Sequence, residues 1–250
     1  MDIYSFPPIA AILDAAYTGL MQLAALLEPL TGGAAAAASV LLVTLLVRAV
    51  LVPAGVSQAK AEQTRSRLAP KLRALQKRHG RDRERLQRET MKLYSDERTS
   101  PFAGCLPLLA QAPVIAVVYA LFAYPTIAGH ANGLLAEQLI GVPLGTSLVG
   151  AIASGTATAA TFAVFGCLIA VIVIAAEITR RAFRPPAAVD ADASPLAGPG
   201  MLRTMGALQF STAVVALFVP LAAALYLATT VVWTLVQRMI LRRRYPLATP

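Results

Sequence analysis

One arginine stands where arginines are rare. Arg48 falls within the apolar run VLLVTLLVRAVLVP, five residues before Pro53. An arginine near the centre of a spanning helix costs about 2.5–3.5 kcal/mol on insertion scales. Such a charge persists where it faces a water-filled cavity or a partner, or where it snorkels to the nearer interface. Few other polar side chains share the apolar stretches. Glu177 is a candidate ion-pair partner for Arg48. Gln111, Thr229 and Thr230 are of a kind to line a cavity with it, or singly to make interhelical hydrogen bonds. Hydrolytic chemistry has no evident residues, because His79 and His130 lie outside the apolar runs and no Ser/His, Asp/Asp or His-rich cluster falls within one. Cys105 and Cys167 lack metal-ligand spacing and read as small buried hydrophobes. No G-x-x-x-x-G-K-[ST] phosphate loop occurs. The expectation is therefore a chain that is not an enzyme and uses no metal or cofactor.

The elements that carry these residues follow from hydropathy. Of the 250 residues, 57% are hydrophobic and only 14% charged, which leaves too little polar surface for a soluble domain of this size. Runs of about 20 apolar residues cross a bilayer core as helices. They place spans at 34–54, 103–124 and 159–179. The apolar stretch 205–240 is too long for one span and contains Pro220, so it divides into a short span at 204–219 and another at 220–240. Within 1–33, Asp14, Thr18 and Gln22 recur every fourth residue. That polar stripe suits an amphipathic helix lying in the interface, with a sixth span as the alternative. Residues 1–47 contain no Lys or Arg, so no ordinary signal peptide is expected. The fold expected is an all-α membrane protein: a five-helix transmembrane core, an N-terminal interfacial helix and a helical hairpin outside the membrane.

Charge placement supplies the topology. Thirteen of the 22 basic residues lie in 56–100, and the rest, apart from Arg48, cluster at 180–203 and 238–244. Five spans beginning at residue 34 put all three clusters on one side. The positive-inside rule makes that side the cytoplasm, with the N-terminus outside and the tail, 241–250, inside. The 125–158 connection is then an outer loop, and 180–203 a flexible inner loop rich in Pro, Ala and Asp; neither is expected to carry chemistry. The segment 55–102 divides at His79-Gly80 into two amphipathic runs, with leucines at helical spacing in each and Asp82 and Glu84 at the start of the second. This predicts an antiparallel basic hairpin whose outer face bears Arg65, Arg67, Lys71, Arg73, Lys77, Arg78, Arg81 and Arg85. Such a face suits ribosomal RNA, anionic headgroups or acidic protein.

Three stretches, in this order, carry a more specific signal: LLVRAVLVPAGVSQAKAEQ, then LAPKLRALQKRHGRDRERLQRETMKLY, then SPFAGCLPLLAQAPVIAVVYALF. Together they resemble the YidC/Oxa-type membrane insertases, in which an arginine-bearing span leads into a basic hairpin and then a span opening G-C-L-P-L-L-x-Q. VPLAAALYLATTVVWTLVQR is similar to the last span of that family, although Leu227 follows Tyr226 where relatives often carry Trp. The resemblance implies five core helices around a hydrophilic groove open to the cytoplasm and to lipid. Arg48 matches the groove arginine and Gln111 the glutamine of the G-C-L-P motif; Glu177, Tyr226 and Thr230 are the further groove candidates. It implies a bacterial cell-membrane protein that accepts nascent hydrophobic segments and passes them into lipid. Its expected partners are those clients, the bilayer, the ribosome and the Sec translocon. A ribosome or membrane tether without insertion activity would keep the hairpin but not need Arg48. A small anion transporter would need polar groups along the outer halves of the spans, which are nearly all Ala, Val, Leu and Ile.

Overall fold

The computed structural model describes residues 6–79, 82–97, 116–122, 124–127, 129–183 and 210–247. Gln111, Arg81, Cys105, most of the span expected at 103–124 and the 184–203 part of the expected inner loop lie outside the described residues. The architecture is almost entirely helical. Three stretches are long and apolar enough to cross a membrane: Pro7–Val50, Ala159–Ala182 and Leu221–Arg244.

The first of these is two helices. Helix α1 (Pro7–Thr31) ends at Gly32, and a short 3-10 turn (Gly32–Ala34) leads into α2 (Ala35–Val50). Gly32 has φ +55°, a conformation that side-chain-bearing residues avoid, and its N–H caps the Glu28 carbonyl. The chain reverses there, because Leu20 of α1 and Val40, Val43 and Val47 of α2 line one cavity. Leu13, Leu20 and Ala24 are buried, whereas Ile12, Leu26 and Leu30 are exposed on the apolar outside. Burial of the first set gives α1 a packing role that its polar stripe alone does not announce.

Helix α2 bends rather than ends. Leu51 interrupts it, and α3 (Val52–His79) starts with Pro53 in its first turn, where a missing N–H is tolerated. Helix α4 (Arg83–Asp96) is capped by the Asp82 carboxylate, which accepts from the Arg85 N–H at 3.0 Å. Helices α3 and α4 run antiparallel: Arg67 and Lys71 on α3 both reach Glu97, just past the end of α4, at 2.8 and 2.5 Å.

The 125–158 loop, expected on the outer side and called the outer loop for that reason, is more ordered than its turn-rich sequence suggests. It holds two antiparallel ribbons, β1 (Thr126–Ile127) with β2 (His130–Ala131) and β3 (Gln138–Leu139) with β4 (Val142–Pro143), and the short α5 (Leu148–Ala153). Ile127, Leu134, Val142 and Leu144 are buried in the same core as the helices. Asn132 fastens this loop to the helical residues 116–122. Its Nδ2 donates to the Leu121 and Tyr124 carbonyls at 2.6 and 3.0 Å, and its Oδ1 accepts from the Leu134 N–H.

Helix α6 (Ala159–Ala182) begins with a capping box between Thr158 and Thr161. Helix α7 (Ser211–Phe218) ends before Pro220, and α8 (Leu221–Arg244) continues through the basic residues of the tail. The first N–H groups of α8 would be orphans beside proline. The outer loop supplies acceptors instead: Leu221 N–H to the Thr146 carbonyl at 2.9 Å and Ala222 N–H to Leu144 at 3.0 Å. Helix α8 is the hub, packing against α2, α3, α6 and α7. Its start, Leu-Ala-Ala-Ala-Leu, is buried, because small side chains let neighbouring helices approach closely.

One sequence expectation is corrected. Cys167 is exposed on α6 rather than buried, since an outward face in lipid is apolar and accepts a small hydrophobe as readily as the core does.

Candidate functional site

Arg48 occupies the last turn of α2 and is half-buried. Its guanidinium lies beside the phenol of Tyr226, a buried residue in the second turn of α8. The pair therefore spans the seam between the arginine-bearing helix and the hub. It lies deep. Gly55 of α3 meets Gln237 of α8 near the basic end of the bundle. Counting back at 1.5 Å per residue puts Arg48 about 10 Å above Gly55 along the chain. On the same basis Tyr226 is about 16 Å above Gln237. The charge is thus two to three helical turns from that end.

Beside this seam is a cavity of about 480 Å³. Gly19 and Leu20 of α1, Val43 and Val47 of α2, Leu121 and Tyr226 are among the residues that wall it. Thr44 and Tyr226 are the polar side chains in the described wall, and the Thr44 hydroxyl is satisfied by the Val40 carbonyl at 2.6 Å. Within the described residues the wall is therefore apolar, with a single tyrosine joining it to a cation.

The other expected groove residues fall elsewhere. Glu177 is held by its own helix, accepting from Arg180 at 2.6 and 2.7 Å and from Arg181 at 2.5 Å. Thr229 donates to the Leu225 carbonyl at 2.8 Å. The Thr230 hydroxyl is buried and has no hydrogen-bond partner among the described residues. Among those residues no three His, Cys, Asp or Glu side chains gather as a metal site.

At the basic end, the root of the hairpin is fastened to the hub. Arg242 bonds Glu62 at 2.8 Å, Gln63 Nε2 donates to the Pro246 carbonyl at 3.0 Å, and Lys60 lies over the Tyr245 ring. Trp233 Nε1 donates to Gln237 Oε1 at 3.0 Å and fixes that amide. A Cβ on Gly55 would meet the amide end of the Gln237 side chain, so a larger residue there requires that amide to move. Beyond this root the hairpin exposes Arg65, Arg67, Lys71, Lys77, Arg78 and Arg85, with Arg73 half-buried. Lys71 and Arg67 beside Glu97 hold its carboxyl below the ordinary carboxylate range.

Sequence reasoning missed three residues that build this arrangement: Asn132, Gly55 and His130. His130 Nε2 pairs with Asp14 Oδ1 at 2.8 Å, and Tyr17 accepts from the Gly133 N–H at 3.1 Å, which clasps α1 to the outer loop. The four-residue polar stripe of α1 marked Asp14; nothing local marked its partner, 116 residues away.

Fold and site define a polytopic α-helical membrane protein with a charged residue held deep between its helices and a basic helical hairpin at one end. The 60Kd inner membrane protein family matches residues 26–248, nearly the whole chain. The chain belongs to that family, the YidC/Oxa-type membrane proteins. Among its relatives, the membrane protein insertase YidC of Clostridium perfringens is 33% identical over 115 residues, covering 46% of this chain and 48% of the relative. The protein so named in Streptomyces avermitilis is 26% identical over 220 residues, covering 83% and 51%. That of Histophilus somni strain 2336 is 42% identical over 80 residues, covering 32% and 15%. The matched stretch thus spans about half, or less, of each relative's own length.

Proposed function

We propose that this chain is a membrane protein insertase: it accepts hydrophobic segments of newly made proteins beside Arg48 and passes them into the bilayer without nucleotide hydrolysis. The observation that carries the reading is a guanidinium set beside Tyr226 two to three turns from the basic end, at the edge of an apolar cavity. The insertase name of the relatives supports it. A cation in a low-dielectric setting attracts an acidic segment more strongly than the same cation in water, because Coulomb energy scales inversely with the effective dielectric. Tyr226 keeps the guanidinium at the seam, where an incoming carboxylate meets it. The apolar wall lets the client's own helix shed water before it partitions into lipid. Gln111 completes the polar side of the groove and Thr230 adds a hydroxyl to it, while Glu177 stays with Arg180 and Arg181. In this reading the basic ends face the cytoplasm, α1 lies at the outer side, and the hairpin receives the ribosome or its emerging chain, with the Sec translocon as a further partner.

Reconstitution tests the central claim. Purified protein in liposomes should insert a short single-span client with an acidic N-terminal tail. Arg48→Ala should slow that insertion about tenfold, the effect of one lost charge-assisted contact. Equal rates for the two proteins would sink the role given to Arg48.

A further inference from the structure

A second crevice lies on the other side of the α2–α8 seam and takes no part in the proposed groove. It measures about 340 Å³ and is walled by Leu45 of α2, Val171 of α6, and Ala228, Thr229, Val232, Trp233 and Val236 of α8. It faces outward and is almost wholly apolar, the Thr229 hydroxyl being turned to its own helix. The face continues beyond the crevice. On α8, positions 229, 232, 233, 236, 239, 240 and 243 form one stripe at helical spacing. Met239 and Ile240 on it are exposed, and it ends at exposed Arg243. On α6, Val171 is followed by exposed Ile174 and Ile178 and then by Arg181. Phe183 stacks against Arg238 and Arg242 at 5.6 and 5.1 Å, which brings the C-terminal ends of α6 and α8 to one level. Arg181 and Arg243 therefore lie at the level of the same end of the crevice, beyond its walls.

We propose that this crevice is a binding site for an anionic phospholipid, with one acyl chain between α2, α6 and α8 and the phosphate at Arg243 and Arg181. Dimensions and charge both select that occupant. From Ala228 to Arg243 the α8 stripe is about 22 Å long at 1.5 Å per residue, close to the roughly 20–22 Å of one leaflet with its headgroup region included. A dry apolar slot takes a hydrocarbon chain without leaving polar groups unpaired. Two guanidiniums at its basic end favour a phosphodiester that carries net charge over a zwitterion. Arg181 shares the Glu177 carboxylate with Arg180, so it can turn toward a phosphate while Glu177 keeps a partner. The site is independent of Arg48.

The full chain in vesicles containing phosphatidylglycerol or phosphatidylcholine, each with a diazirine in mid-chain, provides the test. After irradiation, adducts should map to the peptides bearing Val171 and Val232–Val236, with phosphatidylglycerol labelling about tenfold more than phosphatidylcholine. Excess unlabelled phosphatidylglycerol should compete. The double substitution Arg181→Gln with Arg243→Gln should bring the two lipids to parity, and Lys at both positions should restore the preference; neither pair touches the core. Arg48→Ala should label as the wild type does, so loss of insertion in that variant leaves the lipid site standing. Equal labelling of both lipids by the wild type, preference retained in the double Gln variant, or crosslinks to a client helix or a second copy in place of lipid would each overturn the proposal.

Discussion

Arg48 and Tyr226 illustrate how a single charge is kept inside an apolar bundle. The tyrosine sets a polar group beside the guanidinium without adding a second charge, so the cost of burying a carboxylate there is avoided. Glu177, the acid that sequence offered as a partner, is instead engaged by arginines three and four residues along its own helix. Asn132 solves a different residue-scale problem. It caps the end of the 116–122 helix by donating to two carbonyls while its own carbonyl holds the next turn of the loop. Asn132→Ala should leave those acceptors buried and unpaired, at a cost of about 1–3 kcal/mol. Thermal unfolding in detergent would check this, with little change in stability as the contrary result.

Between elements, two contacts join distant parts of the chain. The first is the approach of α3 to α8 at Gly55. Gly55→Ala should force the Gln237 amide aside and cost about 1 kcal/mol, the low end for overpacking, because the group it meets ends a flexible side chain. Adding Gln237→Ala should recover most of that loss, which a double-mutant cycle of unfolding midpoints would register. The second is the clasp between α1 and the outer loop. The hydrogen bond from His130 to Asp14 raises the imidazole pKa above its ordinary value of about 6.5. A raised histidine pKa means that folding favours the protonated ring. The stabilisation is therefore complete below about pH 6.5 and is lost as pH rises through the higher folded value. Amide exchange in α1 around residues 13–20, corrected for its intrinsic pH dependence, should accelerate on the alkaline side. Asp14→Asn should remove that dependence, and an unchanged profile in the variant would refute the clasp.

For the whole molecule, the basic residues are sorted by task. Those at the junction of hairpin and bundle, Lys60 over Tyr245 and Arg242 of α8 on Glu62 of α3, have aromatic or acidic partners across it, whereas Arg65, Lys77, Arg78 and Arg85 stay exposed farther out. If the outer part of the hairpin receives ribosomes, Lys77→Glu, Arg78→Glu and Arg85→Glu together should abolish co-sedimentation with them. Binding by the wild type should fall steeply with salt, as phosphate contacts do. Liposome insertion of a client supplied without ribosomes should continue in the triple variant. Loss of that insertion as well would mean that the hairpin acts on the client itself.

Hydropathy and charge counting by themselves pointed to an all-α membrane protein, to Arg48 as exceptional, and to a pair of basic helices following its own. These properties are local: a spanning run must satisfy its own backbone in hydrocarbon, and Asp82 caps α4 from within its own turn. Pro220 likewise marked the break between α7 and α8. Only the tertiary structure decided what each polar residue meets. Tyr226 is 178 positions from Arg48, His130 is 116 from Asp14, and Arg242 is 180 from Glu62. No periodicity encodes such pairings, because they depend on which helix faces lie together once the apolar surfaces have packed. The outer loop makes the same point: its glycines and prolines announced turns, but its ribbons are held by core contacts and by the N–H groups of α8. Sequence located the charge; packing gave it a partner and a cavity.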